Sequence, residues 1–318
     1  WTSVAHRAYI MSQEPTHKFR TALFIGELEM PLEEALPVAR DIGVEYVWFT
    51  DLPHRPAVAE MSDSEVDEIG EKVADHGLKL MMISAASPFK HIHLTDLDVD
   101  SLAEHPEFRK DFNDLVRSME IASRLGVGVV SAYSFAWPGE YTSEKPTWPM
   151  RWLTRGGVIA DVDIDKLVRA FSLVVEQAEK HDVDVSVSMM PWNYTNTTGN
   201  FRRLAERLRS DKIKVMWGPA DNYNCGEPDV ATAGFSNVQP HVDSIHIKDL
   251  RVNDGASIDF DYVPFGEGDV PWQDILHNLR EANSDVVLSL ATHFEHPQGR
   301  VAAMQKNMDN LQQMIASL

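Results

Sequence analysis

Two short stretches of this chain crowd together the side chains that move protons and hold charge. The run "HIKD" (246–249) carries an imidazole, an ammonium and a carboxylate, and "ATHFE" (291–295) carries a hydroxyl, an imidazole and a carboxylate. An imidazole with an ordinary pKa of about 6.5 serves as general acid or base near neutral pH. An ammonium steadies negative charge developing on an oxygen. One position in the second run is blank, because Ala291, between an apolar run and the polar cluster, can do no chemistry.

Such residues act together only if a scaffold brings them to one place. Four segments repeat one pattern: "ARDIGVEYVWFT" (39–50), "ADHGLKLMMIS" (74–84), "ASRLGVGVVSAY" (122–133) and "AEKHDVDVSVSM" (178–189). Each reads as a helix end, a turn at Gly43, Gly77, Gly126 or Asp182, and an apolar strand. Ser62 and Glu65 form a capping-box pattern, and the apolar stripes of 108–119, 167–175 and 301–315 have helical spacing. With further strands at 21–28, 214–218, 243–250 and 285–292, eight strands alternate with helices, which predicts a parallel sheet. A (β/α)₈ TIM barrel is the expected fold. "FIGELEMP" lacks the Gly-x-Gly-x-x-Gly turn of a dinucleotide-binding open sheet. Residues 1–18 are expected to form an N-terminal arm, and 19–318 a single domain. The long irregular stretch 135–162 would cover the barrel top.

In such a barrel the chemistry sits at the carboxyl ends of the strands. Those ends offer Glu27 and Glu29, then Asp51 and His54, then Lys90, His91 and His93, then Tyr133 and Trp137. Trp192 and Asn193 follow, then Asp221 and Asn222, then His246, Lys248 and Asp249, then Thr292, His293 and Glu295. Aromatic faces among hydrogen-bonding groups suit a sugar, whose C–H face stacks while its hydroxyls pair. His54, His91, Trp137, Trp192, Asn193, Asp221 and Arg151 are the candidate substrate contacts.

Composition excludes other classes. Forty-nine acidic residues against 29 basic ones give a net charge of −20 in 318 residues. That field repels phosphate backbones, so nucleic acid and anionic membrane are poor partners. Cys225 is the only cysteine, which rules out a disulfide framework or thiolate metal site and fits a reducing cytoplasm. No apolar run approaches the roughly 20 residues a bilayer span needs. The expected partner is a small-molecule carbohydrate, and the sequence is compatible with a homo-oligomer.

The run "PFGEGDVPWQDIL" (264–276), placed after "HIKD" and its loop, resembles the sugar isomerase/epimerase family of xylose isomerase-like barrels. "MPWNYTNT" (190–197), "GPADNYNCGE" (218–227) and "SLATHFE" (289–295) resemble its fifth, sixth and eighth strand ends. The resemblance covers roughly residues 20–318. It implies a mouth that holds a divalent metal (Mn, Mg, Zn or Co) on Glu, Asp, His and Glu after strands five to eight, polarising a carbonyl for proton transfer. Carried across, those ligand positions fall on Ser188, Gly218, His246 and Ala291, so only the histidine is present. No cofactor is therefore expected. A carbohydrate isomerase, epimerase or lyase-like activity would then rest on His246 as general acid or base, Lys248 or His293 at the oxyanion, and Asp249 orienting a partner. The alternative is a sugar-binding pseudoenzyme or a subunit of a larger sugar-processing complex. A barrel nuclease, which needs many metal ligands, is disfavoured by their absence and by the charge.

Overall fold

The computed structural model describes residues 18–85, 87–137, 157–255 and 259–318. Eight parallel strands form the sheet: β1 (Arg20–Phe24), β2 (Tyr46–Phe49), β3 (Lys79–Ile83), β4 (Val129–Tyr133), β5 (Asp184–Ser188), β6 (Ile213–Trp217), β7 (Val242–Ile247) and β10 (Val287–Leu290). Their order is β3-β2-β1-β10-β7-β6-β5-β4, so β10 returns beside β1. At the seam between β3 and β4, the Ser84 hydroxyl donates to the Ser131 carbonyl at 2.9 Å and the Tyr133 amide to the Pro88 carbonyl at 3.0 Å. The result is a nearly closed TIM barrel. The arm proposed for 1–18 lies, but for Lys18, outside the described residues, as does most of the expected cover at 135–162, Arg151 included.

Helices join the strands on the outside: α1 (Leu32–Ile42), α2 (Asp63–Asp75), α3 (Pro106–Leu125), α4 (Asp161–His181), α5 (Thr198–Leu208), α6 (Pro219–Asn224), a short α7 (Phe235–Val238), α8 (Trp272–Glu281) and α9 (Arg300–Ser317). None among the described residues is long and apolar enough to cross a membrane. The predicted capping box at Ser62 and Glu65 opens α2. Gly43 and Gly126 close α1 and α3 at φ +92° and +68°, and Asp182 closes α4 at φ 52°. Left-handed residues there release the chain into the next strand.

Strand residues point alternately outward and inward. Leu23, Val47, Val130, Val185, Val215, Ile245 and Leu288 pack outward with the helices in the main core. Ala22, Trp48, Met82, Met216 and Val287 form a separate cluster inside the barrel. His246 lies opposite Ser289 on β10 and shares this inner face.

Two expected strands differ, and the first, 21–28, ends at Phe24 and gives way to a 3₁₀ turn, Ile25–Leu28. The stretch 243–250 is not a single strand. After Ile247 the chain leaves the barrel and forms an antiparallel hairpin, β8 (Asp249–Asp254) with β9 (Asp259–Val263). Asp249 pins the base of that hairpin. Its carboxylate accepts the amides of Leu250 (2.8 Å), Gly266 (3.0 Å), Gly268 (3.1 Å) and Val270 (3.3 Å). The glycines of "PFGEGDVPW" follow from this: Gly266 takes φ +78°, and a Cβ on Gly268 would overlap the Asp249 carboxylate and the Leu250 carbonyl. Gly268→Ala is therefore expected to cost about 1–3 kcal/mol by overpacking against backbone. An unchanged urea midpoint would contradict this close approach.

Candidate functional site

The ends of β1, β6, β7 and β10 and the β8–β9 hairpin meet at one side of the barrel mouth. β1 runs into a single 3₁₀ turn, Ile25–Leu28, which turns Glu27 inward and buries it. Glu27 Oε2 accepts the Thr292 amide at 2.8 Å and its hydroxyl at 3.0 Å, while Oε1 lies 3.6 Å from His293 Nε2. His293 holds φ 52°, a left-handed conformation that ends the extended run of β10 and aims the ring back towards Glu27. Tyr262, carried in by β9, packs edge-on against His293 at 4.9 Å and brings its hydroxyl within 3.4 Å of Asp221 Oδ1. Asp221, on the first turn of α6, pairs with Lys248 at 2.7 Å, and both side chains are 0% exposed. The connected set is thus Thr292, Glu27, His293, Tyr262, Asp221 and Lys248.

His246 stands beside this set, half-buried inside the barrel. Its ring lies 5.9 Å from Trp48, which is itself stacked on Phe24 at 4.2 Å and fixed by an indole hydrogen bond of 2.7 Å to the Ser289 hydroxyl. His246 Nδ1 is buried and has no hydrogen-bond partner among the described residues. Across the mouth, Trp192 stacks on Tyr133 at 5.3 Å, and the Lys90 ammonium faces both rings at 5.6 and 5.9 Å.

Burial sets the charge states. It raises Glu27, partly offset by the Thr292 donors and Lys248, and it raises Asp221 against the pull of Lys248 and Tyr262. Burial, then the Lys248 charge, drives His293 well below its ordinary value and takes His246 from 6.5 to about 3. The ordinary imidazole pKa anticipated for His246 is therefore displaced, and the ring is neutral at physiological pH. Burial alone brings Lys90 down to about 8.

The pH consequence has a definite sign. Unfolded chains bind a proton on His246 below about 6.5, whereas the native ring resists until about 3. The stability this contributes is complete above the unfolded value and is lost as pH falls through that window. Moving from about pH 7 to about pH 5, His246→Gln is expected to lose less thermal stability than the unmodified protein. Equal losses would place the ring in a solvated setting.

The residues expected from sequence to form the site are distributed unevenly by the fold. His246, Lys248, His293 and Asp221 come together. The Asp249 carboxylate accepts four backbone amides at the base of the hairpin. Asn193 is also engaged in shaping its own turn, donating to the Ser188 carbonyl at 2.7 Å and accepting the Thr195 amide at 3.1 Å. Trp192 is fully buried under Tyr133, and Trp137 stacks on Tyr194 at 4.2 Å. His54 and His91 are exposed on the loops after β2 and β3, and Glu295 is exposed after β10. Arg151 falls outside the described residues. Glu27, Lys90 and Tyr262 are among the participants given no role from sequence. The first two were visible as strand-end residues, while Tyr262 depends on a hairpin that local pattern did not reveal.

Ser188 and Ala291 are buried, and the Ala291 carbonyl accepts from Asn307 at 2.6 Å. A Cβ on Gly218 would lie 2.5 Å from Asp221 Oδ2 and 3.2 Å from the Met189 carbonyl. Among the described residues no three His, Cys, Asp or Glu side chains are grouped as a metal site would require.

Comparison with known proteins agrees with this architecture. No protein of curated function matches the chain. A xylose isomerase-like TIM barrel protein from Mycobacterium smegmatis, solved in complex with magnesium, superposes with TM-score 0.68 at 16% identity, over 96% of this chain and 99% of that one. The IOLI protein with a bound zinc atom gives 0.67 at 16% identity, over 94% and 99%. AsbF of Bacillus anthracis, a probable 3-DHS dehydratase involved in petrobactin synthesis, gives 0.66 at 15% identity, over 92% and 99%. At these identities the likeness is one of fold. The family model described as xylose isomerase-like TIM barrel matches residues 36–314, and the chain belongs to that family.

Proposed function

We propose that this barrel acts on a sugar or sugar derivative at its mouth, as an isomerase, epimerase or lyase-like enzyme that moves a proton beside a carbonyl using its own side chains. The observation that carries the reading is the pairing of opposite proton affinities in one cluster. Glu27 is raised by burial while His246 and His293 are depressed. Titratable groups pushed apart in this way mark an acid and a base. Neutral His246, with Nδ1 unengaged, takes a proton from the carbon beside the carbonyl, its basicity rising as negative charge develops on the substrate next to it. The electron pair moves onto the carbonyl oxygen, and the nearby Lys248 charge stabilises the resulting enediolate. His293, edged by Glu27 and Tyr262, relays the proton back. The half-buried Tyr133 ring, backed by the buried Trp192, and the Lys90 ammonium give a sugar its apolar wall and a polar handle.

Further support comes from the family. Solved relatives in fold include an L-ribulose 3-epimerase (TM-score 0.65, 16% identity) and a D-tagatose 3-epimerase-like protein (TM-score 0.65, 14% identity). The donor set does not fit a divalent metal: Ser188, Gly218 and Ala291 offer no carboxylate, so no step is routed through one.

The test incubates a panel of keto- and aldo-sugars with the protein in D₂O and excess chelator, following deuterium entry at carbon by NMR. Chelator-resistant incorporation is the expected result. Saturable sugar binding without exchange of any substrate would instead favour a non-catalytic sugar-binding subunit.

A further inference from the structure

We propose that the Lys248 ammonium is the resident cation of this barrel, held by Asp221 in the space a Gly218 side chain would need, and that it keeps divalent metals out. This deepens the preceding reading and rests on it only for the location of the site.

Three observations lead to this assignment. Any Cβ on Gly218 would lie 2.5 Å from Asp221 Oδ2, so the Asp221 carboxylate and a side chain at 218 compete for one volume. That carboxylate is 2.7 Å from Lys248 Nζ, in a pair without solvent exposure. Tyr262 then seals the pair, its hydroxyl 3.4 Å from Asp221 and its ring 5.9 Å from the ammonium. Asp221 is thus neutralised by an internal cation and closed to an external one.

The surroundings agree. A divalent ion needs several oxygen or imidazole donors and net negative charge around it. Glu27 already receives two donors from Thr292 and faces His293. His246 and His293 bring no negative charge. A second cation would also meet the fixed ammonium at short range inside a low-dielectric barrel, where repulsion is poorly screened. The four features belong together on this view: the lack of carboxylates at Ser188, Gly218 and Ala291 denies a metal its anions, and Lys248 supplies a single positive charge that needs one anion, Asp221.

Two measurements on the full chain test this without any sugar, so the functional reading and this one can fail separately. In the first, protein equilibrated with Mn²⁺, Zn²⁺, Mg²⁺ or Co²⁺ and then desalted is analysed for metal and melted. The expected result is no stoichiometric metal and an unmoved Tm. One retained equivalent with a raised Tm would overturn the proposal. The second is a double-variant cycle. Gly218→Asp and Asp221→Ala should each lower Tm, the first by crowding and the second by stranding Lys248. The double variant should be more stable than Asp221→Ala alone, since the carboxylate at 218 refills the vacated space and pairs with Lys248 again. A double variant whose losses simply add would show that the two positions do not share that volume.

Discussion

Asp221→Ala is expected to destabilise the protein by about 3–5 kcal/mol, the range found when one member of a buried ion pair is removed. The size follows from what remains. Lys248 is 0% exposed, and Asp221 is its ion-pair partner at 2.7 Å. A buried ammonium without a counter-charge must either stay charged at high desolvation cost or give up its proton. Asp221→Asn should fall in the same direction, because the amide keeps the volume and the Tyr262 contact but not the charge. The informative control is Asp221→Ala combined with Lys248→Met. Replacing both partners with apolar groups removes the stranded charge, so the double variant should recover most of the loss. Urea unfolding of the four proteins reads this directly. A loss below about 1 kcal/mol for Asp221→Ala, the size typical of a solvated surface pair, would mean that water reaches Lys248.

His246→Gln is expected to lower kcat for proton exchange by about 10²–10⁴-fold, the usual contribution of a positioned general base. Glutamine retains hydrogen-bonding capacity and approximate volume beside Trp48, so sugar affinity should change far less than turnover. Because burial and Lys248 hold the ring's pKa to about 3, protonation of His246 should not produce an acid limb near the ordinary imidazole value of 6.5. Activity controlled by this base should persist well below that value, as far as the fold survives. A rate that falls through a pKa of about 6.5 and loses that inflection in His246→Gln would show a solvated imidazole instead. Full turnover in the variant would move the base elsewhere in the cluster, with His293 next in line.

How much of this was legible beforehand differs from element to element. Apolar runs bounded by helix ends and left-handed turns specify a parallel strand wherever they occur, so the eight strands and the TIM barrel could be read from periodicity and from Gly43, Gly77 and Gly126. The capping box at Ser62 was equally local. The run "PFGEGDVPW" likewise carried the family resemblance. Ser188, Gly218 and Ala291 were visible as positions without carboxylates.

Pairing across the mouth was not legible. Lys248 and Asp249 are neighbours in sequence and belonged to one strand-end set. In the fold they part company, since successive residues leaving a strand point to opposite sides. Lys248 turns in towards Asp221, well upstream on α6, and Asp249 turns to the amides of the glycine loop. Glu27 and Thr292 meet only because β1 and β10 are neighbours where the barrel closes. The neutral state of His246 likewise depends on burial and on a charge that folding brings near it. Helix, turn and strand signals are local, so the chemical groups at the strand ends could be read from the chain alone. Which groups pair and which protons they keep depend on contacts between distant residues and on the exclusion of water, and these arise on folding.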